Sequence, residues 1–402
     1  MILSCKCIGK FIIGFILVLA VFGIFSIYNF NVLPTKFLLI VLVSLLCILF
    51  LSTTLIRGRV IVNKYLFVIT TISVFYIFVT FLNSVILHKV YFLDYCIAYL
   101  SFFYLIVLSI LYNKIPIDPR IFKKFFYILL CFFFLKYLIT RIFGFMNRPG
   151  IFTENNYELL FLAFLILAYH HIYKKISFLW IVIIFSIYIL SESRSGILIL
   201  ATLLIFIFSD FSRKKDLLRF FIIFIVSSIS VFMVMKYRMA SLSIEDTDRF
   251  RFFLVFLREI KGWNILNFLF GKHPLTPLSY QSCQELSFYK SLFSYSGKNI
   301  CYAIILHAYV LRVLFNHGIL GFIFVFYSVY KIILLSGYSN KEAFLVLLLL
   351  LINGLSVSSI NNIFSVLGLL FLTNLGYVNK CIICKNYVSK LVKIQTSEQL
   401  QR

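Results

Sequence analysis

Long apolar runs, each broken after some twenty residues by a short polar segment, repeat along most of this chain. A helix rises about 1.5 Å per residue, so roughly 20 apolar residues cross a hydrocarbon layer about 30 Å thick. Lipid offers no partner to an unpaired peptide group, which leaves the helix as the natural way across. The pattern therefore predicts an all-α fold, a polytopic transmembrane helix bundle of about 12 spans. The spans are expected near 11–30, 37–56, 65–86, 91–112, 122–142, 157–173, 176–191, 196–209, 217–235, 318–335, 343–358 and 361–378. Those at 176–191 and 196–209 are short and adjacent, so they are either two spans or one broken hairpin. No small-x-small cleavage pattern follows the first run, which is expected to remain as a span.

Three segments interrupt the apolar pattern without reading as plain connectors. Arg148-Pro149-Gly150-Ile151-Phe152-Thr153-Glu154-Asn155-Asn156 is rich in turn formers and enters the sixth span. Ser191-Glu192-Ser193-Arg194-Ser195-Gly196 is wedged between two spans. Residues 236–317 form one large loop inserted between spans nine and ten, and a connection of that length is expected to carry function.

Within that loop, residues 247–263 place Phe250, Phe253, Leu254, Leu257 and Ile260 on one helical face and Arg251, Arg258 and Glu259 elsewhere. This spacing predicts an amphipathic helix lying on the membrane surface, capped by Asp246 or Thr247. The run 264–270, followed by Gly271-Lys272-His273-Pro274, ends the helical character. It resumes over 302–315, with His307, Leu311 and Leu314 on one face, before Asn316-His317-Gly318 leads into the tenth span. No internal repeat or low-complexity tract appears, so 1–402 reads as a single integral membrane domain.

Composition agrees, since 62% hydrophobic and 13% charged residues lie far from soluble globular usage. Basic residues outnumber acidic ones 38 to 14, a formal charge of +24. Their positions explain the excess, because Lys and Arg in short loops collect on the cytoplasmic side. An N-terminus inside puts Lys6, Lys10, Arg57, Arg59, Lys64, Lys114, Arg120, Lys123, Lys124, Lys174, Lys175 and the Arg213–Arg219 cluster there. Lys331, Lys341 and a basic tail over 379–402 follow, whereas the short outer loops hold only Lys36, Lys89, Arg141, Arg148 and Arg194. Both termini are thus expected in the cytoplasm and the 236–317 loop outside. The charge reads as a topology signal and an affinity for anionic headgroups, and nucleic acid is not an expected partner. Of nine cysteines, Cys283 and Cys301 fall in the outer loop, where they either pair or stay as thiols. Cys5, Cys7, Cys381 and Cys384 form C-x-C and C-x-x-C without histidine support, and no metal site is expected.

Candidate chemistry gathers at the outer face. A guanidinium such as Arg194 costs about 2.5–3.5 kcal/mol at mid-membrane depth and so needs a partner. It either pairs with Glu192 or snorkels, or it offers a planar fork to phosphate oxygens. His307 is either an interface histidine or a general base, imidazole having an ordinary pKa of about 6.5. Arg148, Arg249, Arg251 and Arg312 fall at the same face, where converging cations suit a pyrophosphate. Asp94, inside the fourth span, is expected to pair or to handle a proton. No G-x-x-x-x-G-K-[ST], G-x-S-x-G or H-E-x-x-H motif is present.

Ser193-Arg194-Ser195-Gly196 resembles the S-R-S-G turn of the O-antigen ligase and polymerase superfamily. Arg249 with Phe253, leading to Gly271, resembles that family's arginine-plus-aromatic helix. His307-Ala308-Tyr309-Val310-Leu311 and then Asn316-His317-Gly318-Ile319-Leu320-Gly321 resemble its H-N-x-y-L and G-I-x-G pattern, with Ala308 in place of Asn. The resemblance covers about Arg148 to Gly321. It implies a metal-independent, cofactor-free glycosyltransferase of the bacterial inner membrane, acting at the periplasmic face on an undecaprenyl-pyrophosphate-linked oligosaccharide. His307 is then the catalytic base, and Arg194, Arg249, Arg251, Arg312 and Arg148 hold the pyrophosphate. A repeat-unit polymerase with a chain-length regulator as further partner is the favoured member. A ligase transferring the chain to lipid A core and a lipid-linked oligosaccharide flippase are the alternatives.

Overall fold

A computed structural model describes residues 2–25, 63–115, 117–144, 149–208, 248–272, 275–298 and 300–400. Among these the fold is all-α, with one isolated antiparallel bridge between Pro277 and Tyr302. The first helices are α1 (Ile2–Phe25), α2 (Lys64–Phe81, widening into a π-turn over Leu82–Leu87), α3 (Phe92–Ala98) and α4 (Leu100–Leu111). Next come α5 (Pro119–Phe143), α6 (Asn155–Tyr173), α7 (Phe178–Leu190) and α8 (Arg194–Phe208). The loop contributes α9 (Asp248–Glu259), α10 (Ile265–Phe270) and α11 (Tyr280–Glu285). The chain continues through α12 (Tyr309–Leu335), α13 (Asn340–Gly354) and α14 (Ile363–Leu400).

Local chemistry sets several boundaries. The Asn63 side chain accepts from Tyr65 N at the start of α2, and Asp118 does the same for Arg120 N with Pro119 at the first position of α5. Ser339 and Glu342 form a reciprocal capping box on α13. Gly144, at φ 65°, stops α5.

Five helical segments are long and apolar enough to cross a membrane: Ile8–Phe25, Lys64–Leu87, Pro119–Phe143, Tyr309–Leu335 and Ile363–Cys381. The α3–α4 pair, bent by 63° at Tyr99, makes a sixth if it is one broken span. The protein is thus a helical one of membrane type. The expected spans at 37–56 and 217–235 lie outside the described residues, as do Asp246 and Thr247. Helices underlie the other ten, but α7 and α8 are short, at 13 and 15 residues.

The helices alternate between two ends of the bundle. At one end Tyr112 Oη donates to Leu335 O at 2.7 Å, Tyr173 Oη to Pro119 O at 2.7 Å, and His171 pairs with Glu342 at 2.9 Å. At the other, Asn353 Nδ2 donates to Asn156 O at 3.0 Å and Tyr309 N to Val357 O at 3.1 Å. Everything described between Asp248 and Ala308 sits at this second end, here the loop end. Helix α6 is buried from Leu159 to Ala168 and packs along α14, α8 and α13. Large apolar side chains of α2, including Phe67, Phe75 and Phe78, stay exposed, as a lipid-facing helix requires. A separate small core of Phe252, Val255, Phe256, Leu286, Leu306 and Phe315 binds the loop residues to the top of α12.

The loop departs from expectation in two places. Residues 302–308 are not helical beyond a 3-10 turn at Ala303–Ile305, and α12 begins only at Tyr309, so His307 precedes the helix. The 264–270 run is itself a six-residue helix, α10, capped by the Asn264 side chain and stopped by Gly271 at φ 85°.

Candidate functional site

The site is built from the entrance to α6 outward. The Glu158 carboxylate accepts hydrogen bonds from the backbone N–H groups of Ile151 (2.8 Å), Phe152 and Thr153 (2.5 Å), winding residues 151–153 around one buried side chain. Gly150 is needed there, because a Cβ would lie 2.2 Å from Thr153 O. This turn delivers Glu154 to the start of α6, where Asn156 Nδ2 donates to Glu154 Oε1 at 2.7 Å.

The 191–196 turn locks onto the same helix start. Asn155 Nδ2 donates to Ser191 O at 2.9 Å, and the hydroxyls of Ser193 and Ser195 both donate to Asn156 Oδ1, at 2.5 and 3.1 Å. Gly196 N donates back to Ser193 Oγ at 3.0 Å, and a Cβ on Gly196 would come within 2.5 Å of Leu159 Cδ1. The serines and glycine of this turn are therefore structural, and they hold half-buried Arg194 at the first position of α8 at the loop end. Glu192 pairs with Arg141 at 3.0 Å.

Arg312, one turn into α12, is 4% exposed, and its Nε and Nη2 have no hydrogen-bond partner among the described residues. Its guanidinium lies 6.0 Å from the Tyr309 ring centre and shares its electrostatic surroundings with Tyr157 and Tyr295. A buried charge in that condition is costly, so its position is informative. His307 is half-buried, with the rings of Phe252 and Tyr289 at 5.6 and 6.1 Å, both edge-on. Burial lowers the pKa of His307 below its ordinary value, and the positive charges of Arg312 and Arg249 lower it further, while Glu154 and Asp248 oppose the shift. The imidazole is thus biased to the neutral form that accepts a proton. Tyr289 is within electrostatic reach of Asp248, and its hydroxyl pKa is raised by burial first and by that carboxylate second, with Arg251 acting in the opposite sense.

Asp94 clamps the loop from the other side. Fully buried, it accepts from Ser294 Oγ and from Tyr295 N at 2.8 Å, which sets Tyr295 near Arg312. Its role is an anchor between α3 and the loop.

Four expected site residues, His307, Arg312, Arg249 and Arg251, thus fall in one neighbourhood. Arg194 stands at the same end, on a turn bonded to Asn156. Arg148 lies outside the described residues. The neighbourhood also holds Glu154, Asp248, Tyr157, Tyr289 and Tyr295, which residue type and spacing alone do not single out. Asp248 offers one local cue, being adjacent in sequence to Arg249.

Among the described residues no group of three or more His, Cys, Asp and Glu side chains is arranged to hold a metal ion. Cys283 and Cys301 are free thiols within hydrogen-bonding reach of each other. His317, the second histidine of this stretch, is buried among Tyr76, Tyr99 and Phe102, with Nδ1 2.9 Å from Tyr76 Oη and Nε2 3.3 Å from Ala98 O. It joins α12 to α2 and α3. Fold and site together define a helical membrane protein with a partly buried cluster of basic and aromatic side chains at one end. No family model, no curated protein and no solved structure matches the chain.

Proposed function

We propose that this chain is a membrane glycosyltransferase that polymerises undecaprenyl-pyrophosphate-linked oligosaccharide repeat units. In this reading the bundle spans a bacterial inner membrane about 12 times, with both termini cytoplasmic and the loop end facing the periplasm. The observation that carries the proposal is Arg312: a buried guanidinium with two donors lacking a partner among the described residues, within electrostatic reach of half-buried His307. A diphosphate would satisfy those donors and the charge together, since a guanidinium fork matches two phosphate oxygens.

The division of labour follows from the chemistry. His307 takes the proton from an acceptor sugar hydroxyl as its oxygen attacks the anomeric carbon. The bond to the pyrophosphate oxygen breaks, and Arg312, with Arg249, Arg251, Arg194 and Arg148, balances the charge that develops on the departing diphosphate. Glu154 and Asp248 limit the fall in the His307 pKa and keep the base usable. Gathering these groups at one end of the helices supports a transferase over a flippase, whose site belongs near the midplane.

The test is His307→Ala and Arg312→Gln, each expressed in a strain lacking the chain, with surface glycan resolved by gel. Loss of the ladder with core carrying a single repeat supports the polymerase. Long lipid-linked chains piling up uncapped would instead assign the ligase reaction to the same site. An unchanged ladder in both variants removes these residues from the chemistry and with them the proposal.

A further inference from the structure

The short helix α10 has no buried residue, although it is almost wholly apolar: Ile265, Leu266, Phe268 and Phe270 are 77, 62, 40 and 60% exposed. In a loop wholly outside a bilayer, such a face would sit in water.

Its seat on α12 places it elsewhere. Gly271 and Gly318 let the two backbones touch. A Cβ on Gly318 would lie 2.3 Å from Leu269 O, and one on Gly271 would lie 2.6 Å from Asn316 C and His317 N. Lys272 N also donates to Phe315 O at 2.9 Å. Helix α10 is therefore fixed at the level of residues 315–318.

That level can be measured along the helices. Lys331 lies over the rings of Tyr65 and Tyr327, at 5.7 and 5.3 Å, next to Lys64, which marks one headgroup layer. Gly318 is about 13 residues from Lys331, roughly 20 Å along α12. A hydrocarbon core about 30 Å thick then extends some 10 Å beyond Gly318. The same depth appears on α2, where Tyr76, bonded to His317 at 2.9 Å, sits near the middle of the Lys64–Leu87 segment. The exposed face of α10 also continues the exposed side of α12 at Ile319, Leu320 and Ile323.

We propose that α10 is a re-entrant helix whose apolar face is immersed among the acyl chains of the leaflet at the loop end. Its edges fit that setting. Trp263 packs on Phe268 and Phe315, at 5.4 and 5.6 Å, and ties α10 to α12. Lys272 turns its ammonium back over Phe315 toward Glu259, 3.7 Å away, keeping the charge off the apolar face. Asn264 caps the helix start, and Gly271 N donates to Asn267 O at 2.8 Å at its end. The helix anchors in lipid the same loop that carries Arg249, Arg251 and the aromatic pair around His307, and the inference does not depend on the reaction assigned to them.

The test uses the full chain with its nine cysteines replaced, carrying a single cysteine at Leu266 or, as a control in the same loop, at Phe288, which is 87% exposed. Both are reconstituted in nanodiscs of phosphatidylethanolamine and phosphatidylglycerol, open to water on both faces. A water-soluble maleimide, which needs a hydrated thiolate, is expected to label Leu266→Cys about tenfold or more slowly than Phe288→Cys. Ile265→Cys repeats the measurement should Leu266→Cys fold poorly. A nitroxide at the same site is expected to collide more with oxygen than with a water-soluble nickel chelate. Equal labelling rates, or nickel collisions in excess, would overturn the immersion of α10.

Discussion

Replacing Glu158 should damage this protein more than any exposed charge can. Its carboxylate accepts from three backbone N–H groups, of Ile151, Phe152 and Thr153, and it is completely buried. Buried Lys136 lies within its electrostatic reach. In Glu158→Leu the three donors lose their acceptor, those of Ile151 and Phe152 in a buried setting and that of Thr153 in a partly buried one, and each orphaned buried group costs about 1–3 kcal/mol. Partial relaxation keeps the sum from being additive, so a loss of about 3–6 kcal/mol is expected, a large share of a typical total of about 5–15 kcal/mol. Glu158→Gln keeps one oxygen but turns an N–H toward a donor and removes the charge, so a loss of about 1–3 kcal/mol is expected. Unfolding of the purified protein by SDS titration from dodecylmaltoside, followed by helical circular dichroism, ranks the two against the parent. The turn also delivers Glu154, so under the proposed function glycan synthesis should fall in the same order as stability. If Glu158→Leu unfolds at the same SDS fraction as the parent, the carboxylate does not organise the turn and this reasoning is wrong.

Three further outcomes follow. Because burial and the neighbouring arginines depress the His307 pKa, its neutral form persists below pH 6.5. Transfer activity should therefore hold level on acidification through about pH 6.5 and fall only below it, and native stability should drop in the same direction because the unfolded chain binds that proton more readily. An activity limb centred above pH 7 contradicts the assignment. Arg312→Gln should lower turnover by about 100- to 1000-fold, the scale for losing one preorganised donor. It should also move the acid limb of the His307 profile upward, since a positive neighbour is gone; Arg312→Lys should restore the limb but only part of the rate. Gly318→Ala, with its Cβ 2.3 Å from Leu269 O at a φ of 65°, should cost about 1–3 kcal/mol by SDS titration and raise maleimide labelling at Leu266→Cys. An unchanged titration places α10 elsewhere.

Much of the architecture follows from one-dimensional rules. Apolar run length marks helices because lipid leaves a peptide group no partner but its own chain, and α1, α2, α5, α12 and α14 rise from the pattern directly. Turn chemistry is local in part: the 191–196 break and the stop at Gly271 can be read without coordinates, whereas the bonds of Ser193 and Ser195 to Asn156, 37 and 39 residues away, cannot. Arg249, Arg251, Arg312 and His307 were identifiable as candidates by residue type, and a shared loop end was expected from the alternation of spans.

Other features depend on contacts between distant residues, which no local pattern encodes. Glu158 reads as one more residue of an apolar helix until the turn folds over it, and Asp94 reads as an isolated charge until Ser294 and Tyr295, about 200 residues away, supply its hydrogen bonds. His307 looks helical by spacing, yet packing against Phe252 and Tyr289 holds it in the segment before α12. Glu154 and Asp248 matter only because tertiary packing brings them within electrostatic reach of that imidazole. Helix α10 carries an obvious apolar composition, but its depth is set by two glycines in backbone contact, a distance in space that the order of residues does not contain.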